Sequence, residues 1–287
     1  MSPFPYRTTR YYRSLADLSD SEDPVRRQIA IDPREDDPAP HLRTDPLDEA
    51  SHSPLPGLIR RFPDRALVLA HGECPVHCRH CFRRHRLGYG ALPGEALEDI
   101  VTWLRDHPEV REVLVSGGEP LLLGPQALDH LLGRLRSVPT VRWLRLATRM
   151  PVVDPSRITR SLARMLRGHA PLHVATHFNH PRELTLRARR ALAHLVDAGL
   201  PVANQAVLLR GVNDDVDTLE ALFCGLLEAR VRPYQLYQCD LVAGTDHLRV
   251  PTPTALDLMD HLRVRLSGLA LPALSVDHPE APSKIPL

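Results

Sequence analysis

Lysine is nearly missing from this chain. Of 36 Lys and Arg residues in 287, one is a lysine, Lys284, so 36 − 1 leaves 35 arginines. Either cation keeps a solvated surface charged, so charge does not explain why one lysine is kept. Its ε-amine can lose a proton, attack a carbonyl and form a Schiff base, which a guanidinium cannot do. Lys284 is therefore a candidate nucleophile; the plainer reading is chance survival in a frayed end. Net charge is also nearly missing, at +1. That removes the case for nucleic acid or an anionic membrane as partner. No apolar run approaches the roughly 20 residues that span a bilayer. The opening stretch MSPFPYRTTRYYRSL lacks the apolar core of a signal peptide, so a cytoplasmic location is expected.

Cysteine is scarce but clustered. There are five, an odd number, and three of them fall within eight residues: Cys74, Cys78 and Cys81. That pattern argues against a disulfide framework and for metal or redox chemistry. The spacing C-x3-C-x2-C supplies three thiolates. A four-iron cluster normally takes four, so three would leave one iron open to an outside ligand. The alternative is a zinc site that adds His77, His80 or His85. Cys224 falls inside a helical pattern, where a small apolar role suits it, and Cys239 ends a strand.

What is present is a regular α/β alternation. Residues 1–56, rich in Pro and Asp, read as an extended arm with short helical pieces. From Arg65 onward, apolar strands (65–70, 111–118, 141–148, 172–177, 201–209, 233–239) alternate with amphipathic helices, and a short strand-like LPALSV follows. This predicts a parallel, covered sheet in residues 57–287, a partial (β/α)6 TIM-like barrel. Polar residues gather just after the strands: Cys74, Glu119, Thr148, His177, Asn204 and Asp240. In barrels the active site lies at those strand ends.

The cysteine triplet after the first barrel strand resembles the radical S-adenosylmethionine (SAM) superfamily. RFPDRALVL, CRHCFRRH, SGGEPL, TRMPVVDPSRIT, THFNHPRE, NQAVLLRGVND, RPYQLYQCDL and SKIPL sharpen this. They fall in the order seen in the lysine 2,3-aminomutase family and in its relative that modifies elongation factor P. The resemblance covers about residues 20–287. It implies a [4Fe-4S] cluster on Cys74, Cys78 and Cys81, SAM on the open iron, and pyridoxal 5′-phosphate (PLP) on Lys284. The reaction implied is a 2,3-amino shift started by a 5′-deoxyadenosyl radical. Lysine is the expected substrate; arginine, glutamate or a role in elongation factor P modification are the alternatives, and a non-catalytic iron–sulfur protein is the rival of another class.

The same resemblance assigns Gly117, Gly118 and Glu119 to the SAM amino group, and His177 and Gln205 to the SAM pocket. It assigns Arg61 and Arg65 to the PLP pyridine oxygen or phosphate, Arg83 to the substrate carboxylate, and Asp240 with Asp277 to the substrate's distal ammonium. Partners expected are the free amino acid, a low-potential reductant such as flavodoxin or ferredoxin, and a second copy of the chain in a homo-oligomer. In one respect the sequence departs from the family: a glycine run precedes the family's PLP lysine, and HPEAPS (278–283) stands here instead. Glu280 adds a charge that repels phosphate.

Overall fold

A computed structural model describes residues 4–287; the first three residues of the arm lie outside the described residues. One sheet carries the strands in chain order, β1 to β9. They are β1 Leu58–Phe62, β2 Arg65–His71, β3 Glu112–Gly117, β4 Trp143–Ala147, β5 Leu172–Thr176, β6 Val202–Leu208, β7 Arg232–Gln238, β8 Ala273–Val276 and β9 Ile285–Pro286. Strands β2 to β8 run parallel. The helices are α1 Arg10–Arg13, α2 Pro24–Arg27, α3 Gly94–Asp106, α4 Pro125–Arg136, α5 Met150–Val153, α6 Arg160–Gly168, α7 Leu186–Asp197, α8 Val216–Glu228 and α9 Thr252–Arg265. The six long repeats are those the periodicity predicts, and LPALSV contributes β8.

The helices form where apolar spacing and caps coincide. α3 buries Leu97, Ile100, Val101 and Leu104, α4 buries Leu128, Leu131, Leu132 and Leu135, and α7 buries Ala188, Ala191, Leu192 and Leu195. Each set follows i, i+3, i+4, i+7, the single stripe that a helix lays on a sheet. Thr159, Thr185 and Asp215 cap α6, α7 and α8 by accepting from backbone N–H groups three residues on, which satisfies donors that the first turn leaves unpaired. In β6 burial alternates strictly: Val202, Asn204, Ala206 and Leu208 are buried, while Ala203, Gln205 and Val207 are half-buried. Gln205 and Val207 face the barrel interior, where they line its cavity.

Two strands went unseen in the sequence, and both are antiparallel edges. β1 folds back on β2. β9 folds back on β8 with Val276 opposite Ile285. The pair one step further along that hairpin is Asp277 and Lys284. A two-residue strand carries too little periodicity to detect, yet it is what brings these residues face to face. Side chains span the gap between the sheet's two edges: Arg61 of β1 donates to His278 O at 2.9 Å.

The arm is wrapped on the barrel. Tyr12, Val25 and Ile29 are fully buried in the main core. Glu35, in the arm, binds both Arg79 and Arg84, and Glu49 binds Arg83, so two arm carboxylates grip the cysteine loop.

Candidate active site

The strand ends open into a cavity of about 350 Å³. Cys74, Cys78, Cys81, Arg61, Arg65, Arg83, Gly117, Gly118, Glu119, His177, Gln205, Asp240, Asp277 and Lys284 all line it. The sequence scatters these residues over more than two hundred positions; the barrel brings them to one chamber.

The cysteine loop leaves the top of β2 and docks on the glycine turn after β3. Gly118 N donates to His71 O at 2.6 Å and Glu119 N to Glu73 O at 2.8 Å. A β-carbon on Gly117 would sit 2.3 Å from His71 O, and one on Gly118 would sit 2.3 Å from Glu73 O. Gly117 also has φ +135°, a backbone region that favours glycine. These glycines thus allow close approach of the cysteine loop itself.

Burial raises the Cys74 thiol well above its ordinary range and pushes Cys81 up to about 12, with the neighbouring cysteines adding to both. Such desolvation favours the neutral thiols of Cys74 and Cys81 unless a metal replaces the protons. Of the three nearby histidines, His77 Nδ1 faces Pro5 O at 2.9 Å and His85 Nε2 faces Ala243 O at 3.3 Å, while His80 lines the chamber with its Nδ1 unpartnered. Among the described residues, no three His, Cys, Asp or Glu side chains converge as the shell of a single ion. Three thiolates that leave a fourth position open fit a four-iron cluster. Cys239 is buried with Leu209, Val212 and Leu248 and is not among the residues that line the chamber.

Glu119 is buried and its carboxylate accepts from Leu121 N at 3.0 Å, Thr148 Oγ1 at 2.7 Å and Arg149 N at 2.9 Å. Burial nevertheless pushes its carboxyl up to about 7, against those hydrogen bonds. His177 stacks on His80, with ring centroids 5.4 Å apart. Burial and the Arg149 charge lower its imidazole to about 3, so it is neutral. Gln205 Nε2 donates to Tyr237 OH at 3.1 Å.

At the other side of the chamber, Lys284 Nζ donates to Asp277 Oδ2 at 2.6 Å and lies 4.2 Å from the centroid of the Tyr237 ring. Burial works to lower its ammonium pKa, but Tyr237 and Asp277 outweigh it and the net shift is upward. Asp277 Oδ1 lies 3.6 Å from Arg61 Nη1. Asp277 is thus already partnered, and Asp240 is the carboxylate left open. Burial, then the Asp277 charge, pushes Asp240 up to about 7. Arg65 Nε donates to Asp64 at 2.9 Å. Arg83 is held by Glu49, its Nη2 donating at 2.6 Å, so a ligand carboxylate would share that guanidinium with the arm.

Buried polar atoms without a partner are uncommon in folded proteins. Six of the twelve found among the described residues belong to this chamber: Arg61 Nε, His80 Nδ1, Arg149 Nε, Thr176 Oγ1, His177 Nε2 and Asp277 Oδ1. Such concentration marks a site built for polar ligands. The sequence reading missed Arg149, Tyr237 and Glu49. The first two lie inside the runs TRMPVV and YQLYQC, which carried a family signal without a residue-level one. Glu49 had no signal, sitting in a segment without periodicity.

Comparison with known proteins agrees. The family model for the Radical SAM superfamily matches residues 70–222. A structure titled native anSMEcpe with bound AdoMet and Cp18Cys peptide shares the fold at TM-score 0.55, with 16% identity over 70% of this chain and 58% of that one. A radical SAM methyltransferase from Sphaerobacter thermophilus does so at 0.54, with 18% identity over 76% and 68%. The class is therefore radical SAM, a class that holds a four-iron cluster and SAM.

Full-length likeness is narrower. L-lysine 2,3-aminomutase of Clostridium subterminale is 43% identical over 97% of this chain and 68% of its own length. That of Bacillus subtilis is 41% identical over 99% and 60%. Glutamate 2,3-aminomutase of Clostridioides difficile is 35% identical over 99% and 68%. The chain belongs to the lysine 2,3-aminomutase family of radical SAM isomerases. No helix among the described residues is long and apolar enough to cross a membrane.

Proposed function

We propose that this chain is a SAM- and PLP-dependent amino acid 2,3-aminomutase that acts on L-lysine. The observation that carries the reading is the pairing of Lys284 with Asp277 on the wall of the same chamber as Cys74, Cys78 and Cys81. A cluster with SAM supplies a one-electron route to a carbon radical, and PLP supplies a π system through which nitrogen can migrate. The three thiolates would hold the cluster. Lys284 would hold PLP, with Arg61 and Arg65 beside it.

What the protein's own residues do follows from their placement. Asp277 Oδ2 is within hydrogen-bond reach of Lys284 Nζ and orients the amine, holding it as the ammonium until the proton leaves and the amine can attack a carbonyl. Tyr237 covers that amine on its ring face. Neutral His177 and Gln205 offer uncharged polar contacts. Arg83, held by Glu49, stands where a carboxylate would dock.

Asp240 favours lysine. It is a half-buried carboxylate in no ion pair of its own, and a substrate ammonium would supply one. A glutamate side chain would meet it with like charge. Reconstituted protein offered L-lysine, L-arginine and L-glutamate, with β-amino products followed by mass spectrometry, tests this. Turnover of lysine above the others is expected. Preference for glutamate would refute the charge argument, and preference for arginine would correct the substrate alone.

A further inference from the structure

Arg149 follows β4 and is not among the residues that the family motifs assign. Its guanidinium Nη1 lies 2.7 Å from Cys78 Sγ, as donor. Its Nη2 donates to Tyr12 OH at 2.9 Å, Gln28 Oε1 at 2.6 Å and Glu183 Oε1 at 3.0 Å. The guanidinium also lies 5.1 Å from the Tyr12 ring centroid. Tyr12, Gln28 and Glu183 are fully buried. Glu183 is itself fixed: its Oε2 accepts from Asn179 N at 2.6 Å and His180 N at 3.0 Å, and its Oε1 accepts from Tyr12 OH at 2.5 Å. Asn179 Nδ2 donates to Gln28 Oε1 at 3.0 Å. Arg149 therefore cannot swing away from the sulfur without stripping partners from a dry network.

We propose that Arg149 is a positioning residue that raises the reduction potential of the cluster, by holding a cationic N–H donor on Cys78 Sγ from a seat built by the N-terminal arm. The proposal rests on the reading that Cys74, Cys78 and Cys81 hold a four-iron cluster. Reduction adds one electron, from an external low-potential one-electron donor, to the [4Fe-4S] cluster, taking it from 2+ to 1+. No bond or proton changes at Arg149. The added negative charge spreads over the cluster and its thiolates. A donor to a ligating sulfur stabilises that more negative form more than the oxidised one. The low local dielectric enlarges the effect. Glu183 cancels the formal charge of the guanidinium, but it binds Nη2, whereas the N–H facing the sulfur is on Nη1. Lysine could not replace this fork, because one ammonium cannot reach the sulfur and three oxygens on its far side.

The test is an EPR-monitored redox titration of reconstituted full-length protein, with iron and sulfide counted per chain. Arg149→Met should lower the reduced-to-oxidised ratio at a fixed poise about tenfold or more, a midpoint about 59 mV more negative for a one-electron couple. Tyr12→Phe removes one anchor but keeps the ring, and should shift the midpoint in the same direction by less. Arg149→Lys should fall between them. An unchanged midpoint at full iron content in Arg149→Met overturns the proposal. Should that variant load no cluster, Arg149→Lys and Tyr12→Phe decide: a negative shift supports the role, and wild-type midpoints in both overturn it. Iron content of the wild-type protein separately reports whether the ligand reading itself holds.

Discussion

At the cysteine side of the chamber, Arg79 and Arg84 are buried and Arg83 is half-buried, and each meets a carboxylate from the arm, Glu35 or Glu49. At the lysine side, residues 278–283 are exposed or half-buried, and the hairpin that carries Lys284 pairs over two residues of β9. The first side is fixed by several interlocking contacts, so losing one leaves others. The second rests on a few: Arg61 to His278, and Lys284 to Asp277. A cluster that must meet SAM in one geometry gains from rigidity. A hairpin that must admit a cofactor and a substrate gains from a lighter hold.

The largest effects should come from breaking the cysteine side at its ligands. Replacing Cys74, Cys78 or Cys81 by Ala should abolish the iron–sulfur absorbance and SAM cleavage, because two thiolates cannot hold a four-iron cluster with an open site. Cys224→Ala should leave both intact. Formation of 5′-deoxyadenosine by the Cys81 variant would contradict the assignment. On the lysine side, Lys284→Arg keeps the charge but removes the nucleophilic amine. It should eliminate the borohydride-trapped PLP adduct at this position while sparing the cluster spectrum. An adduct persisting in that variant would rule Lys284 out, since the chain has no other lysine.

Most of the chamber was legible in the sequence, for different reasons at its two sides. The thiolates and the glycine turn lie on contiguous motifs after long strands, where periodicity and spacing speak together. Lys284 stood out through composition, and the SKIPL resemblance gave it a role. What stayed hidden was whatever depends on tertiary pairing. Nothing in the spacing of Asp277 and Lys284 predicts a hairpin as short as β8–β9. No local pattern tells that Glu49, in a segment without regular structure, closes on Arg83. Arg149 was one arginine among 35. Its role rests on Tyr12 and Gln28, more than a hundred residues away in the chain.

Stability should expose the same contrast at a smaller scale. Glu35→Ala leaves Arg79 and Arg84 buried without a carboxylate. The expected loss is about 3–5 kcal/mol, the cost of breaking a buried ion pair by removing one partner. Asp277→Asn breaks a pair at the lightly held side, where Lys284 can turn to water, and should cost about 1.5 kcal/mol or less. Urea unfolding of the two variants measures both. Equal losses would mean that the lysine side is as firmly built as the cysteine side.

The smallest effect concerns Asp240, and it carries a sign. Its carboxyl is pushed up to about 7 by burial and then by Asp277, well above the ordinary carboxylate range. In the ligand-free protein the native state therefore holds this proton more tightly than the unfolded chain does. Its contribution to stability is full at low pH, below the unfolded value, and is lost as pH rises through about 7. A substrate ammonium reverses the preference, because it binds the ionised form. Between pH 6 and pH 8 the ionised fraction rises about tenfold, so lysine should bind about tenfold more tightly at the higher pH. Asp240→Asn should weaken binding by roughly tenfold at pH 8, through loss of a charge-assisted hydrogen bond, and should flatten the pH dependence. Glu119 is also raised to about 7, so the difference between wild type and Asp240→Asn, rather than either profile alone, isolates Asp240. Calorimetric titration of lysine into reconstituted protein at the two pH values reads it directly. A pH dependence that survives in Asp240→Asn would move the ammonium site away from Asp240.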